Sequence, residues 1–233
     1  MELISAKNVS VKYDARAAVR GASFSVSEGD YLCIVGENGT GKSTLLKAIL
    51  GLVRYEGEIS FENGLKRSDL GYLPQQTQVQ KGFPASVYEV VLSGCLNRLG
   101  RRLFYSAEEK DAARESMRLL GLTDIANRSY RELSGGQQQR TLVARAVCSA
   151  KKMIFLDEPV NGLDPTVSRQ MYDVIGELNA KQGMTVVMVS HDIDSAVRRS
   201  NMILHMDTEV RFFGPSAEYA SKFGYKFFQN GGY

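Results

Sequence analysis

The stretch Gly36-Glu37-Asn38-Gly39-Thr40-Gly41-Lys42-Ser43-Thr44 limits the possible folds of this 233-residue chain more than any other segment. Its spacing, G-x-x-x-x-G-K-S, is that of a phosphate-binding loop. Residues 31–35 (YLCIV) just before it form an unbroken apolar run, as expected of a strand buried on both faces. Residues 42–50 (KSTLLKAIL) read as a helix closed by Gly51. In a strand–loop–helix context the glycines let successive backbone N–H groups turn inward toward phosphate oxygens. The helix N-terminus adds its partial positive charge. Lys42 is then expected to reach the β- and γ-phosphates, the Ser43 hydroxyl to ligate Mg²⁺, and Thr44 to serve the α-phosphate side. A chance match to the pattern has odds on the order of one per cent in a chain this long.

Two further segments extend this reading. Residues 153–158 (MIFLDE) are an apolar strand ending in paired carboxylates. Downstream of a phosphate loop, Asp157 is placed to hold Mg²⁺ and Glu158 to polarise an attacking water as general base. In Leu133-Ser134-Gly135-Gly136-Gln137, the serine and glycines read as an anion-binding nest leading into a helix from about Gln137. One triphosphate cannot occupy two such devices within one fold.

These motifs, in this order, resemble those of the ATP-binding cassette (ABC) ATPases, and the likeness runs over about residues 3–214. The resemblance implies an α/β P-loop NTPase fold: a RecA-like parallel β core, an N-terminal antiparallel β subdomain and an inserted α-helical subdomain. It implies ATP bound by Gly36, Glu37, Asn38, Gly39, Thr40, Gly41, Lys42, Ser43 and Thr44, with Tyr13 stacked on adenine. Gln75, in Gly71-Tyr72-Leu73-Pro74-Gln75, would contact Mg²⁺ and the attacking water. Mg²⁺ would thus be held by Ser43, Gln75 and Asp157. His191, after the strand-like residues 185–190, would sense the γ-phosphate beside the base Glu158. The family also explains the second anion site. Ser134, Gly135, Gly136 and Gln137 of one copy cap the nucleotide of another, and Asp164, in Asn161-Gly162-Leu163-Asp164, crosses the interface. The closed state the resemblance implies is a head-to-tail C2 homodimer around two ATP molecules.

Residues 1–75 and 150–215 are expected to form the nucleotide-binding core, 76–149 the helical subdomain and 216–233 a C-terminal tail. In the core, residues 4–12, 23–26 and 57–61 suggest the antiparallel layer. In the helical part, Ser106 with Glu109 three residues on forms a capping box. The tail carries Tyr219, Phe223, Tyr225, Phe227, Phe228 and Tyr233, which suit a terminal helix packed on the core. His205 lies in the strand-like residues 202–206 and is expected to be structural.

A formal charge of +3 without a basic block argues against a nucleic-acid partner. The three cysteines, Cys33, Cys95 and Cys148, are separated and lack C-x-x-C spacing, as reduced cytosolic thiols would be. With no signal peptide and no membrane-length apolar run, the expectation is a cytoplasmic protein, peripheral on the inner face of a bacterial membrane.

Two uses of the ATPase remain open at this level. One is the energising subunit of a transporter, bound to transmembrane permease subunits and served indirectly by a substrate-binding protein. The other is a soluble assembly or scaffold machine of the iron–sulfur type. Residues 83–94 (FPASVYEVVLSG) resemble the corresponding stretch of zinc and manganese importer ATPases, which favours transport of a divalent metal ion. There, Phe83, Val87 and Val91 recur at four-residue spacing, and at least two of the three are expected to pack the subdomain.

Overall fold

In the computed structural model, residues 1–14, 16–75, 84–100 and 102–224 are described. They fall into two compact units, Met1–Arg67 with Thr185–Tyr233, and Ser68–Met184.

In the first unit, two long strands, β1 (Glu2–Tyr13) and β2 (Arg16–Ser27), pair antiparallel. A third, β4 (Glu56–Phe61), adds to the other side of β1, giving the order β2-β1-β4. This is the antiparallel layer expected at residues 4–12, 23–26 and 57–61. A second group of strands surrounds β3 (Tyr31–Val35), all five residues of which are buried. Parallel to it on one side runs β7 (Thr185–Val189), and on the other β8 (Met202–Asp207), with β9 (Glu209–Pro215) antiparallel to β8. β3, and β7 after its first residue, are apolar runs because neither face meets water. Fully burying each Val or Ile of these strands contributes about 2 kcal/mol.

Helix α1 (Lys42–Ile49) follows the glycine loop, with Leu50 as its cap and Gly51 beyond it at φ 73°. Two more helices, α7 (Ile193–Arg199) and α8 (Ser216–Phe223), complete this unit. Tyr219 of α8 is fully buried, and its hydroxyl lies 3.0 Å from Nδ1 of His205. The terminal helix therefore packs on the core and His205 is structural, as expected. Burial also holds the His205 imidazole below its ordinary pKa. Tyr225, Phe227, Phe228 and Tyr233 lie outside the described residues.

The second unit contains the parallel pair β5 (Leu70–Leu73) and β6 (Met153–Asp157). With them are α2 (Val87–Leu92), α3 (Leu96–Leu99), α4 (Ala107–Leu119), α5 (Gly135–Ser149) and α6 (Pro165–Gln182). Strands β5 and β6 thus cluster with the helices, because β5 lies directly on α5. A Cβ on Gly71 would sit 2.1 Å from the Ala146 carbonyl oxygen, so only glycine permits that approach. The Ser106–Glu109 capping box is present at the start of α4, and Ser86 with Glu89 forms another at α2. Val87 and Val91 are both fully buried, so their spacing serves subdomain packing. Phe83 lies outside the described residues. The sulfurs of Cys95 and Cys148, both buried, are 3.2 Å apart, a proximity that their sequence separation conceals.

Candidate nucleotide site

In the first unit the glycine loop leaves the C-terminal end of β3, where parallel strands place their binding crevices. Two glycines are fixed by space as well as by torsion. At Gly36 (φ 144°) a Cβ would lie 2.2 Å from the Met206 carbonyl oxygen. At Gly41 (φ 92°) it would lie 2.1 Å from that of Ala18. The loop is further held by the Thr40 hydroxyl, which donates to the Glu37 carbonyl at 2.8 Å. Across from it, the Thr208 N–H donates to the Thr40 carbonyl at 3.1 Å.

Lys42 is 5% exposed, and its ammonium donates to the carbonyls of Gly36 at 2.9 Å and Glu37 at 2.6 Å. The cation is thus drawn into the loop it follows. No side chain caps α1, whose N-cap is Gly41, and no acidic residue lies in its first turn. A buried ammonium and an uncapped helix N-terminus inside a glycine cradle present the chemistry that binds phosphate. Ser43 and Thr44 stand half-buried in the first turn of this helix.

His191 is brought to the same end of the sheet. Val189 pairs with Ile34, and the Ser190 N–H donates to the Ile34 carbonyl at 3.0 Å. His191 follows as an exposed side chain, two residues past the strand. Tyr13 ends β1 with half of its surface exposed, free to offer its ring face.

In the second unit the carboxylates stand at the C-terminal end of β6. Asp157 is 1% exposed. Burial, and secondarily the charge of Asp157, push the phenol of Tyr72 up to about 12. Glu158 is half-buried and adopts φ 52°, a left-handed conformation that costs a non-glycine residue about 1 kcal/mol or more. Register explains its neighbour. Leu73 pairs with Leu156, so Gln75 and Glu158 each lie two residues beyond a matched pair. The Gln75 amide donates to Oε2 of Glu158 at 3.0 Å. The amide of Asn161 donates to the same oxygen at 2.8 Å. Asn161 was not among the residues expected to act here, since an asparagine in a loop carries no signal of its partner.

The serine–glycine motif corrects one sequence reading. Helix α5 begins at Gly135, not near Gln137, and neither Gly135 nor Gly136 has the positive φ of a nest. Ser134 is instead the N-cap of a capping box. Its hydroxyl accepts from the Gln137 N–H at 3.3 Å, and its own N–H donates to the Gln137 side chain at 3.1 Å. The S-x-x-Q pattern was a readable sign of this. An anion here meets a helix N-terminus whose first turn holds no acidic residue. Asp164 caps α6 in turn, one carboxylate oxygen accepting from the N–H groups of Thr166 and Val167 at 3.0 Å each.

A model of the ABC transporter family matches residues 19–161, more than half of the chain. The chain belongs to the ABC transporter family. The cassette is 34% identical over 226 residues to the zinc uptake system ATP-binding protein ZurA of Listeria innocua, covering 94% of this chain and 88% of that protein. It is 38% identical over 213 residues to the manganese transport system ATP-binding protein MntB of Bacillus subtilis, covering 90% and 85%. A solved cassette, MJ0796, determined as a dimer in a post-hydrolysis state with ADP and phosphate, superposes with a TM-score of 0.73. It is 30% identical, with 92% of this chain and 99% of that one covered. No helix among the described residues of the ABC cassette is long and apolar enough to cross a membrane.

Proposed function

We propose that this ABC cassette is the ATP-hydrolysing, energy-coupling subunit of an importer for a divalent metal ion, zinc or manganese. It works with separate transmembrane subunits at the inner face of the membrane. One observation supports the reading: a single chain bears two helix N-termini with no acidic residue in the first turn, α1 behind the glycine loop and α5 behind Ser134, and both suit an anion. The zinc and manganese systems named among its relatives support the cargo.

The residues divide the work as follows. The loop 36–44 grips the triphosphate, with Lys42 turning from its two carbonyls to the phosphate oxygens, while Tyr13 stacks on adenine. Ser43, Gln75 and Asp157 suit Mg²⁺, since a buried carboxylate, an amide oxygen and a hydroxyl are the hard donors that ion takes. When bound, it neutralises charge on the β- and γ-phosphates. Glu158 accepts a proton from water as the water oxygen bonds to the γ-phosphorus and the bond to the ADP oxygen breaks. His191 contacts the γ-phosphate. Ser134, Gly135, Gly136, Gln137 and Asp164 of one copy close over the nucleotide of its twin.

Reconstitution tests this. The cassette is co-purified with its transmembrane partners and placed in lipid vesicles, and metal uptake is followed on addition of ATP. The expected result is ATP-dependent zinc or manganese movement that Lys42→Ala abolishes. If neither metal moves while ATP is hydrolysed, the cargo assignment is wrong.

A further inference from the structure

The carboxylate of Glu158 is held by two amides that reach it from different places. Gln75 comes from the end of β5, and Asn161 from three residues along the same turn. Both converge on Oε2, which leaves Oε1 as the oxygen for a proton. The turn itself is braced throughout. The Asn161 N–H donates to the Glu158 carbonyl at 3.2 Å, and the Leu163 N–H to the Val160 carbonyl at 3.2 Å. From the helix that begins at the serine–glycine motif, the buried Gln139 amide donates to the Pro159 carbonyl. Glu158 itself opens this turn with a left-handed backbone, φ 52°.

The two amides have unequal duties. Gln75 has a second task in the proposed reaction, and when it turns to the metal and nucleotide it leaves Oε2. Asn161 belongs to the turn that carries Glu158 and needs no rearrangement to stay. We propose that Asn161 is a positioning residue for hydrolysis, holding Oε2 of Glu158 so that Oε1 faces the water after Gln75 has left. This rests on the reading of Glu158 as the general base.

The test compares Asn161→Asp, which keeps the size but replaces the donor by an acceptor, with Asn161→Ser, which keeps a shorter donor. Steady-state hydrolysis should show kcat of Asn161→Asp reduced about tenfold to a hundredfold, the scale of a displaced reacting group, with KM for ATP little changed. Asn161→Ser should recover part of the loss. A second readout needs no nucleotide. The melting temperature should fall in Asn161→Asp, where two carboxylates oppose each other. It should recover in the double variant Asn161→Asp with Glu158→Gln, where the glutamine amide donates back to the new carboxylate.

Wild-type kcat in Asn161→Asp, a parallel loss of affinity for a fluorescent ATP analogue, or a double variant melting no higher than Asn161→Asp would each overturn the proposal. Ordinary turnover in Glu158→Gln alone would instead remove the base assignment, whatever Asn161 does, so the two failures are separable.

Discussion

The glycine-loop half and the carboxylate half of this cassette are built on opposite plans. In the first, the groups proposed to bind are backbone N–H groups and one lysine, all within a few residues of each other, on a loop whose geometry is set by where a Cβ cannot go. In the second, they are side chains whose positions depend on pairing between distant strands, as in the Gln75–Glu158 bond. A backbone device binds charge without regard to which nucleotide step is under way. A side-chain cluster can change partners, which is what a hydrolytic step needs. On the proposed roles, binding belongs to the first half and turnover to the second.

The sharpest attempt to break this division sets Lys42→Ala against Glu158→Gln. The first should lose affinity for a fluorescent ATP analogue. The second should retain it, lose at least about a hundredfold in turnover, and elute as an ATP-dependent dimer in size-exclusion chromatography. Strictly monomeric Glu158→Gln at high concentration with Mg·ATP would remove the shared site.

Gly41→Ala tests the backbone plan itself. With a Cβ 2.1 Å from the Ala18 carbonyl and φ at 92°, the loop cannot keep its shape. Nucleotide binding should vanish, with about 2 kcal/mol or more of stability lost in denaturant unfolding. An alanine variant that binds ATP normally would show that side chains, not backbone, define the cradle.

The smallest effects lie away from the proposed binding and hydrolytic groups, at the start of α4. Ser106→Ala removes one side of a capping box and should cost about 1 kcal/mol, or about 2–4 °C in Tm, with unchanged kcat. Beside it, hydrogen bonds from Arg102, and then from the Ser106 N–H, hold the Glu109 carboxyl below its ordinary value. Its folded pKa is depressed, so its stabilising effect is present above the ordinary carboxylate value and disappears as pH falls through the lowered one. Tm measured between neutral and acidic pH should therefore drop less in Glu109→Gln than in the wild type over that range.

The strand, glycine loop and helix of residues 31–49 were legible because their requirements are local. Glycine at fixed offsets, a buried strand before and a helix after are all properties of contiguous residues. The same holds for the antiparallel layer, for the capping box at Ser106 and for Val87 and Val91, whose apolar spacing marked them as packing residues. The serine–glycine motif was read with the wrong backbone, because two glycines suggest a nest more readily than a capped helix.

What only the tertiary structure decided involves partners chosen across the chain. The pairing of Leu73 with Leu156 set Gln75 against Glu158, and the turn beyond β6 brought the Asn161 amide to the same carboxylate. The contact of Cys95 with Cys148 is of the same kind. Sequence spells out which torsions and charges a segment can support by itself. Which distant segment it meets is fixed by strand register and by close approaches such as Gly71 on Ala146, and those arise only when the whole chain packs.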